Sequence, residues 1–156
     1  YARYTEDGNA YVDNMQRLLR KFETAKTLVP APVIRRAAQP ARAGAIWFGS
    51  TGAAMAESLA ELAQEGIHLD QMRIRAFPFA DTVAEFIAEH EHVFVVEQNR
   101  DAQLKMMLVN ECGIDPQKLI SILHYDGNPL TERFVTREIA EKARLFNVTP
   151  LRKVAR

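Results

Sequence analysis

The sequence predicts an α/β fold, a three-layer α/β/α sandwich around an open and largely parallel sheet. Three observations carry this. From residue 45 onward, short apolar runs alternate with segments whose apolar residues recur every three to four positions, the pattern of βαβ units with right-handed crossovers. The runs Ala45-Ile46-Trp47-Phe48 and Val93-Phe94-Val95-Val96 are apolar on both faces, which suits strands covered by helices above and below. One short pair, Val33-Ile34, is not separated from the next run by a helix, so it is expected at an edge, in the antiparallel sense.

Each element follows from its residues. Val12, Met15, Leu18, Leu19, Phe22 and Ala25 give residues 9–28 one apolar helical face. Arg17, Arg20, Lys21 and Lys26 gather toward its C-terminal half, where the helix dipole favours them, and Asp7 or Asn9 can cap its start. Val29-Pro30-Ala31-Pro32 ends the helix and runs extended. Residues 37–44, with Pro40, read as a linker or surface loop. The strand at 45–48 ends in Gly49-Ser50-Thr51-Gly52. A helix over 53–64 follows, with Met55, Leu59 and Leu62 on one face and Gly66 as its stop. Residues 72–77 form a second strand, closed by Pro78. Asp81 or Thr82 caps a helix carrying Val83, Phe86 and Ile87. Residues 93–96 are the clearest strand, and Glu97-Gln98-Asn99-Arg100 makes the turn after it. A helix over 103–112 points Leu104, Met107 and Leu108 inward and ends at Gly113. Residues 119–123 are the last strand and enter the dense turn signal Tyr125-Asp126-Gly127-Asn128-Pro129. The final helix, 131–146, carries Phe134, Val135, Ile139 and Leu145. The basic stretch 151–156 is expected to fray. The division is therefore a helical connector at 1–32, an α/β domain at 33–150 and a basic tail at 151–156, with no internal repeat.

Composition narrows the function. The 156 residues are one domain's worth, or one domain plus an arm. Twenty Lys and Arg cancel twenty Asp and Glu, so bulk charge gives no case for nucleic acid or an anionic membrane. No apolar run reaches the length of a spanning helix. A single cysteine, Cys112, excludes an internal disulfide framework, a four-cysteine zinc site and an iron–sulfur cluster held by this chain alone. It fits a reducing, cytoplasmic setting. The first residues lack a signal peptide's apolar centre. Tyr, not Met, stands first, and the chain is read as a piece of something longer that need not hold its own active site.

Two turns are the candidate ligand or interface positions. Gly49, Ser50 and Thr51 sit after a strand and before a helix, where backbone N–H groups and a hydroxyl can face an anion. The spacing is neither GxGxxG nor GxxxxGK[ST], and a tight turn with a cap is the plainer account. Glu97, Asn99 and Gln103 lie at the C-terminal end of the strongest strand, the edge where open α/β sheets bind ligands. There Glu97 is a candidate acceptor and Asn99 an orienting amide; a helix-capping turn or a domain interface is the plain alternative. His90-x-His92 lacks the third and fourth ligands of a metal site. His124 stands at a strand end and could face a cleft. Asp126-Gly127-Asn128 evokes a thiamine-diphosphate magnesium motif, but Tyr125 replaces its leading Gly, and a turn accounts for it better. Cys112 has no base near it in sequence and reads as a small buried residue. Nothing assembles a nucleophile, a base and an oxyanion hole, so no residue is assigned as catalytic, cofactor-binding or metal-binding.

The segment Val95-Val96-Glu97-Gln98-Asn99-Arg100-Asp101-Ala102-Gln103-Leu104 nevertheless resembles a family pattern. So do Gly49-Ser50-Thr51 with Glu57 in the next helix, Arg75-Ala76-Phe77-Pro78-Phe79, and Tyr125-Asp126-Gly127-Asn128-Pro129. Together they resemble the C-terminal part of the alpha subunit of 2-oxoacid:ferredoxin oxidoreductases, with the 2-oxoglutarate branch closest. Tyr4-Thr5-Glu6-Asp7 and Arg17-Leu18-Leu19-Arg20-Lys21 resemble the helical connector before that domain. The resemblance implies a transketolase C-terminal-like fold, a five-stranded mixed sheet with one antiparallel strand. It implies a holoenzyme that decarboxylates a 2-oxoacid on thiamine diphosphate with Mg, passes electrons through iron–sulfur clusters to ferredoxin, and forms an acyl-CoA. Those groups would sit in other domains or the beta subunit. The family's Gly-Gln is Ala102-Gln103 here. The expected role is structural, packing against the other alpha-subunit domains and the beta subunit. The alternatives are a stand-alone small-ligand or nucleotide-binding module using Ser50, Thr51, Glu97 and Asn99, or a scaffold that binds a partner chain.

Overall fold

The computed structural model of the chain describes residues 4–146 and 148. The basic tail expected at 151–156 lies outside the described residues. Twelve elements follow one another: α1 (Gly8–Leu28), β1 (Val33–Arg35), β2 (Ala43–Phe48), a 3₁₀ turn (Gly49–Thr51), α2 (Gly52–Gln64), β3 (Leu69–Ile74), α3 (Asp81–Ala88), β4 (His92–Glu97), α4 (Gln103–Cys112), a second 3₁₀ turn (Pro116–Lys118), β5 (Leu119–Leu123) and α5 (Glu132–Leu145).

The sheet has five strands in the order β1-β3-β2-β4-β5. β3, β2, β4 and β5 are parallel, and β1 pairs antiparallel with β3 as Val33↔Arg73 and Arg35↔Gln71. The lone Val33-Ile34 pair is therefore the antiparallel edge strand. Strand alternation divides the core in two. Ala45, Trp47, Phe94, Val96 and Ile122 pack with Met55 and Leu59 of α2 and Val135 and Ile139 of α5. Ile46, Met72, Val93 and Val95 point the other way, onto Val83 and Phe86 of α3 and Leu104 and Leu108 of α4. Both faces of β2 and β4 are thus dry, as their unbroken apolar runs require.

Caps and stops explain the element ends. The Asp7 carboxylate accepts the Asn9 N–H at 3.0 Å and starts α1, and Thr131 Oγ1 accepts the Phe134 N–H at 3.3 Å to start α5. Neither Asp81 nor Thr82 caps α3: Ala80 holds that position without a side-chain bond, and Asp81 is a first-turn acid instead. β3 begins and ends three residues before the span read from sequence, because its pairing with β2 runs Ala43↔Leu69 to Phe48↔Ile74. Met107 is exposed rather than inward, and Leu145 is exposed too. α4 buries Leu104 and Leu108, with Val109 and Cys112 packed partly beside them, and Leu145 lies in the last turn of α5, outside the cluster that Ile139 and Ala143 join.

Where β2 passes α3 there is no room for a side chain. A Cβ on Gly44 would lie 2.7 and 2.8 Å from the edge of the Phe86 ring, which is 1% exposed and cannot yield. Gly44→Ala is expected to destabilise the chain by about 1–3 kcal/mol through overpacking, read as a lower urea midpoint with an unchanged slope.

α1 stands apart from this core. None of its residues is buried. It touches the domain through the Phe22 ring, 6.4 Å from that of Phe77. Tyr11, Val12, Leu19 and Leu28 stay exposed.

Candidate functional site at the carboxyl edge of the sheet

The strand order sets where a site belongs. β2 leads into α2 on one face of the sheet, while its neighbour β4 leads into α4 on the other. The connections diverge there and open a crevice beyond the strand ends, where such folds place ligands. Gly49, Ser50 and Thr51 follow β2, and Glu97, Asn99 and Gln103 end β4 and open α4. All six predicted positions therefore reach one rim.

Their polar atoms bond largely to one another. Glu97 is wholly buried. Its carboxylate accepts the Leu104 N–H at 2.7 Å, the Lys105 N–H at 3.3 Å and the Asn99 Nδ2–H at 2.7 Å. It thus occupies the positive end of α4, where an external anion would otherwise sit. Asn99 Oδ1 accepts the N–H groups of Asp101 and Gln103 at 3.1 and 3.2 Å. Asn99 both closes the turn and holds Glu97, so the orienting amide and the helix-capping turn expected from sequence are one arrangement. Across the crevice, Gln98 Nε2 donates to Ser50 Oγ at 3.2 Å and Thr51 Oγ1 at 3.3 Å, bridging the two strand ends. The sequence places Gln98 in the turn, but nothing in its neighbours foretells the bridge, because its partners are 47 and 48 residues away.

The turn carries strain at one residue. Ala102 has φ 53°, a left-handed conformation that Gly adopts freely and Ala does not. This is the position where the resembling family has Gly. Ala102→Gly is expected to stabilise the chain by about 0.5–1 kcal/mol, seen as a raised thermal midpoint.

The remaining candidates disperse. His90 is buried, its Nδ1–H donating to the Phe86 carbonyl at 2.6 Å, while His92 packs on Phe146 with ring centroids 5.1 Å apart. His124 Nε2 lies 3.3 Å from Asp126 and its ring meets Phe134 edge-on. Asp126 accepts the Asn128 N–H at 2.9 Å and closes the turn read from sequence. No cluster of three or more His, Cys, Asp or Glu able to hold a metal occurs among the described residues. Cys112 is half-buried. Burial pushes its thiol up, the Glu111 charge adds to this, and a thiol rather than a thiolate faces neutral solution. Cys112 is expected to react with a thiol-specific disulfide reagent at pH 7 more slowly than free cysteine, and to match it only after unfolding. Among the described residues, no helix is long and apolar enough to cross a membrane.

No protein-family model matches the sequence, and no curated protein matches it. Solved structures do. The chain is similar to the 2-oxoglutarate:ferredoxin oxidoreductase from Magnetococcus marinus, a structure with 2-oxoglutarate, coenzyme A and succinyl-CoA bound, with a TM-score of 0.76 and 21% sequence identity over 88% of this chain. It spans only 24% of that chain's length. A second similarity, to the alpha chain of a probable 2-oxoacid ferredoxin oxidoreductase from Thermoplasma acidophilum, covers 73% of this chain and 97% of that one at 25% identity, with a looser TM-score of 0.49. At these identities it is the five-stranded α/β architecture that is shared.

Proposed function

We propose that this chain is the C-terminal domain of a 2-oxoacid:ferredoxin oxidoreductase alpha subunit, of the 2-oxoglutarate branch, and that it serves assembly rather than chemistry. The observation that carries this reading is the apolar surface the chain leaves unpartnered. Leu19 and Phe22 on α1 run toward Phe77, and Phe48 and Met107 line an adjoining groove with Phe77. Aromatic and aliphatic side chains exposed in a contiguous run mark a surface meant to be covered, and the covering partners are the other alpha-subunit domains and the beta subunit. α1 is the connector that leads into the domain. The rim positions Gly49, Ser50, Thr51, Glu97, Asn99 and Gln103 shape this edge for packing. The quarter-length overlap with the Magnetococcus structure and the motif resemblance agree with this assignment.

The holoenzyme's groups do not fit the residues of this chain. An iron–sulfur cluster takes about four thiolates, and Cys112 is the one cysteine, its thiol held protonated by burial. The Asp126-Gly127-Asn128 segment departs from the magnesium motif at Tyr125, which stands for its leading Gly, and Asp126 accepts the Asn128 N–H within its own turn. In this reading thiamine diphosphate, Mg, the clusters and the ferredoxin contact are assigned to the rest of the holoenzyme.

Incubating the purified chain with thiamine diphosphate, Mg and 2-oxoglutarate tests the division of labour. No CO₂ release is expected from the chain alone; turnover by it would overturn the reading. Deleting this domain from the full alpha subunit is expected to abolish co-purification with the beta subunit, seen by size-exclusion chromatography.

A further inference from the structure

A second cleft lies beside the rim, on the α2 face of the sheet where β1 and β3 project past the helix. It measures about 470 Å³, within the range of small-ligand sites. Register explains its lining. Val33, Arg73 and Trp47 are Cα partners in one row across β1, β3 and β2, and Arg35, Gln71 and Ala45 in the next, so these side chains share a face. Arg35, Gln71, Arg73, Trp47, Ser50 and Gly52 line the cleft, and no acidic residue does.

Two features of this cleft lack a partner. The Trp47 ring is 94% buried, and its Nε1–H has no hydrogen-bond acceptor among the described residues. Buried donors are rarely left so. The indole nitrogen points to the start of α2: a Cβ on Gly52 would lie 3.8 Å from Trp47 Nε1 and 3.7 Å from the Arg73 guanidinium carbon. Neither the 3₁₀ turn nor α2 receives a side-chain cap, so no capping side chain takes their opening N–H groups among the described residues. The two guanidinium groups have no carboxylate. Arg35 makes no ion pair among the described residues, and Arg73 donates only to the Gly49 carbonyl at 3.2 Å. Two cations, an orphaned N–H, an uncapped helix start and no counter-ion converge on one concavity.

We propose that this cleft binds the oxyanion of a small-molecule ligand, a phosphate or carboxylate group, between Arg35, Arg73 and the Trp47 indole N–H. Arg73 is exposed, and its guanidinium and the indole nitrogen flank the same Gly52 position. On binding, it exchanges the neutral Gly49 carbonyl for an anion, a stronger acceptor, and the same oxygens take the Trp47 N–H. Ser50 and Gln71 supply neutral donors at the margin. The site shares Gly49 and Ser50 with the rim but does not use the Glu97 carboxylate, which faces the opposite helix layer.

Trp47 is the sole tryptophan, so the indole reports directly. The 156-residue chain is titrated with inorganic phosphate, pyrophosphate, acetate and succinate at constant ionic strength, following the indole ¹⁵N–¹H cross-peak and Trp emission. A saturable displacement of the peak is expected in the phosphate or the carboxylate series, and the series with the lower half-saturation names the ligand's group. Arg73→Met and Arg35→Met are each expected to weaken it by roughly tenfold or more. Both residues are exposed, Arg35 on the edge strand β1 and Arg73 on β3 beside it, so their urea midpoints should match the parent. A cross-peak unmoved by all four anions, or one that saturates identically in both variants, overturns the proposal.

Discussion

Replacing Glu97 with alanine is expected to lower the stability of the chain by about 3–5 kcal/mol, the largest effect of any single change at the rim. Two losses combine. The Leu104 and Lys105 N–H groups at the buried start of α4 lose their acceptor, as does the Asn99 amide. The side chain leaves a void in a site with no access to water. Hydrogen bonds to a carboxylate are worth more than neutral ones, and unpaired buried donors cost their full desolvation. Glu97→Gln keeps the shape and one acceptor oxygen but turns an NH₂ toward a donor, so it should lose about half as much. Urea unfolding of the three proteins checks the order parent, Gln, Ala. Equal midpoints for parent and Glu97→Ala would show that the carboxylate does not hold the turn.

The second large effect is at Asp70, a buried acid on β3 that ties the chain before β2 to the sheet. It accepts the Ala37 N–H at 2.8 Å and an Arg36 N–H at 2.7 Å, and lies 3.2 Å from His90 Nε2. Arg36 reaches on to Glu89 at 2.6 Å, so one carboxylate on β3 ties together the segments that follow β1 and α3. Asp70→Ala is expected to cost about 2–4 kcal/mol, because three groups lose a shared acceptor. Burial by itself raises the Asp70 carboxyl, but the Ala37 N–H, Arg36 and His90 outweigh it and hold it below the ordinary aspartate range. The sign follows. A carboxyl lowered in the folded state contributes stability that is complete above its unfolded value of about 4 and is lost as pH falls through the folded one. Asp70→Asn should therefore flatten the acid limb of stability against pH below about 4 while lowering its neutral plateau. The limb does not vanish, because Arg42 holds Glu91 low, the Asn128 N–H holds Asp126 low and Lys142 holds Glu138 low.

Much of the fold was legible because its signals are local. The runs Ala45-Ile46-Trp47-Phe48 and Val93-Phe94-Val95-Val96 declare strands buried on both faces, and these are the two central strands β2 and β4. Gly66 and Gly113, both at positive φ, end α2 and α4 as read. Where local signals misled, tertiary contacts decided. Met107 has the helical spacing of an inward residue, yet α4 buries Leu104 and Leu108 instead, and Met107 lines the exposed groove beside Phe48 and Phe77. Asp81 and Thr82 have the chemistry of caps, but Ala80 sits at the helix boundary.

Periodicity and turn chemistry act within a few residues, so the sequence by itself determined the element order, the α/β class, the antiparallel edge strand and the two turns that meet at the rim. Strand order brought distant residues together, and only the tertiary structure decided what they do there. Gln98 bonds Ser50, Asp70 bonds Arg36 and His90, and Arg35, Arg73 and Trp47 share one cleft. The physical reason is the crossover that carries the chain from β3 past β2 to β4. It sets neighbours dozens of residues apart, at separations where spacing in the sequence carries no information about contact.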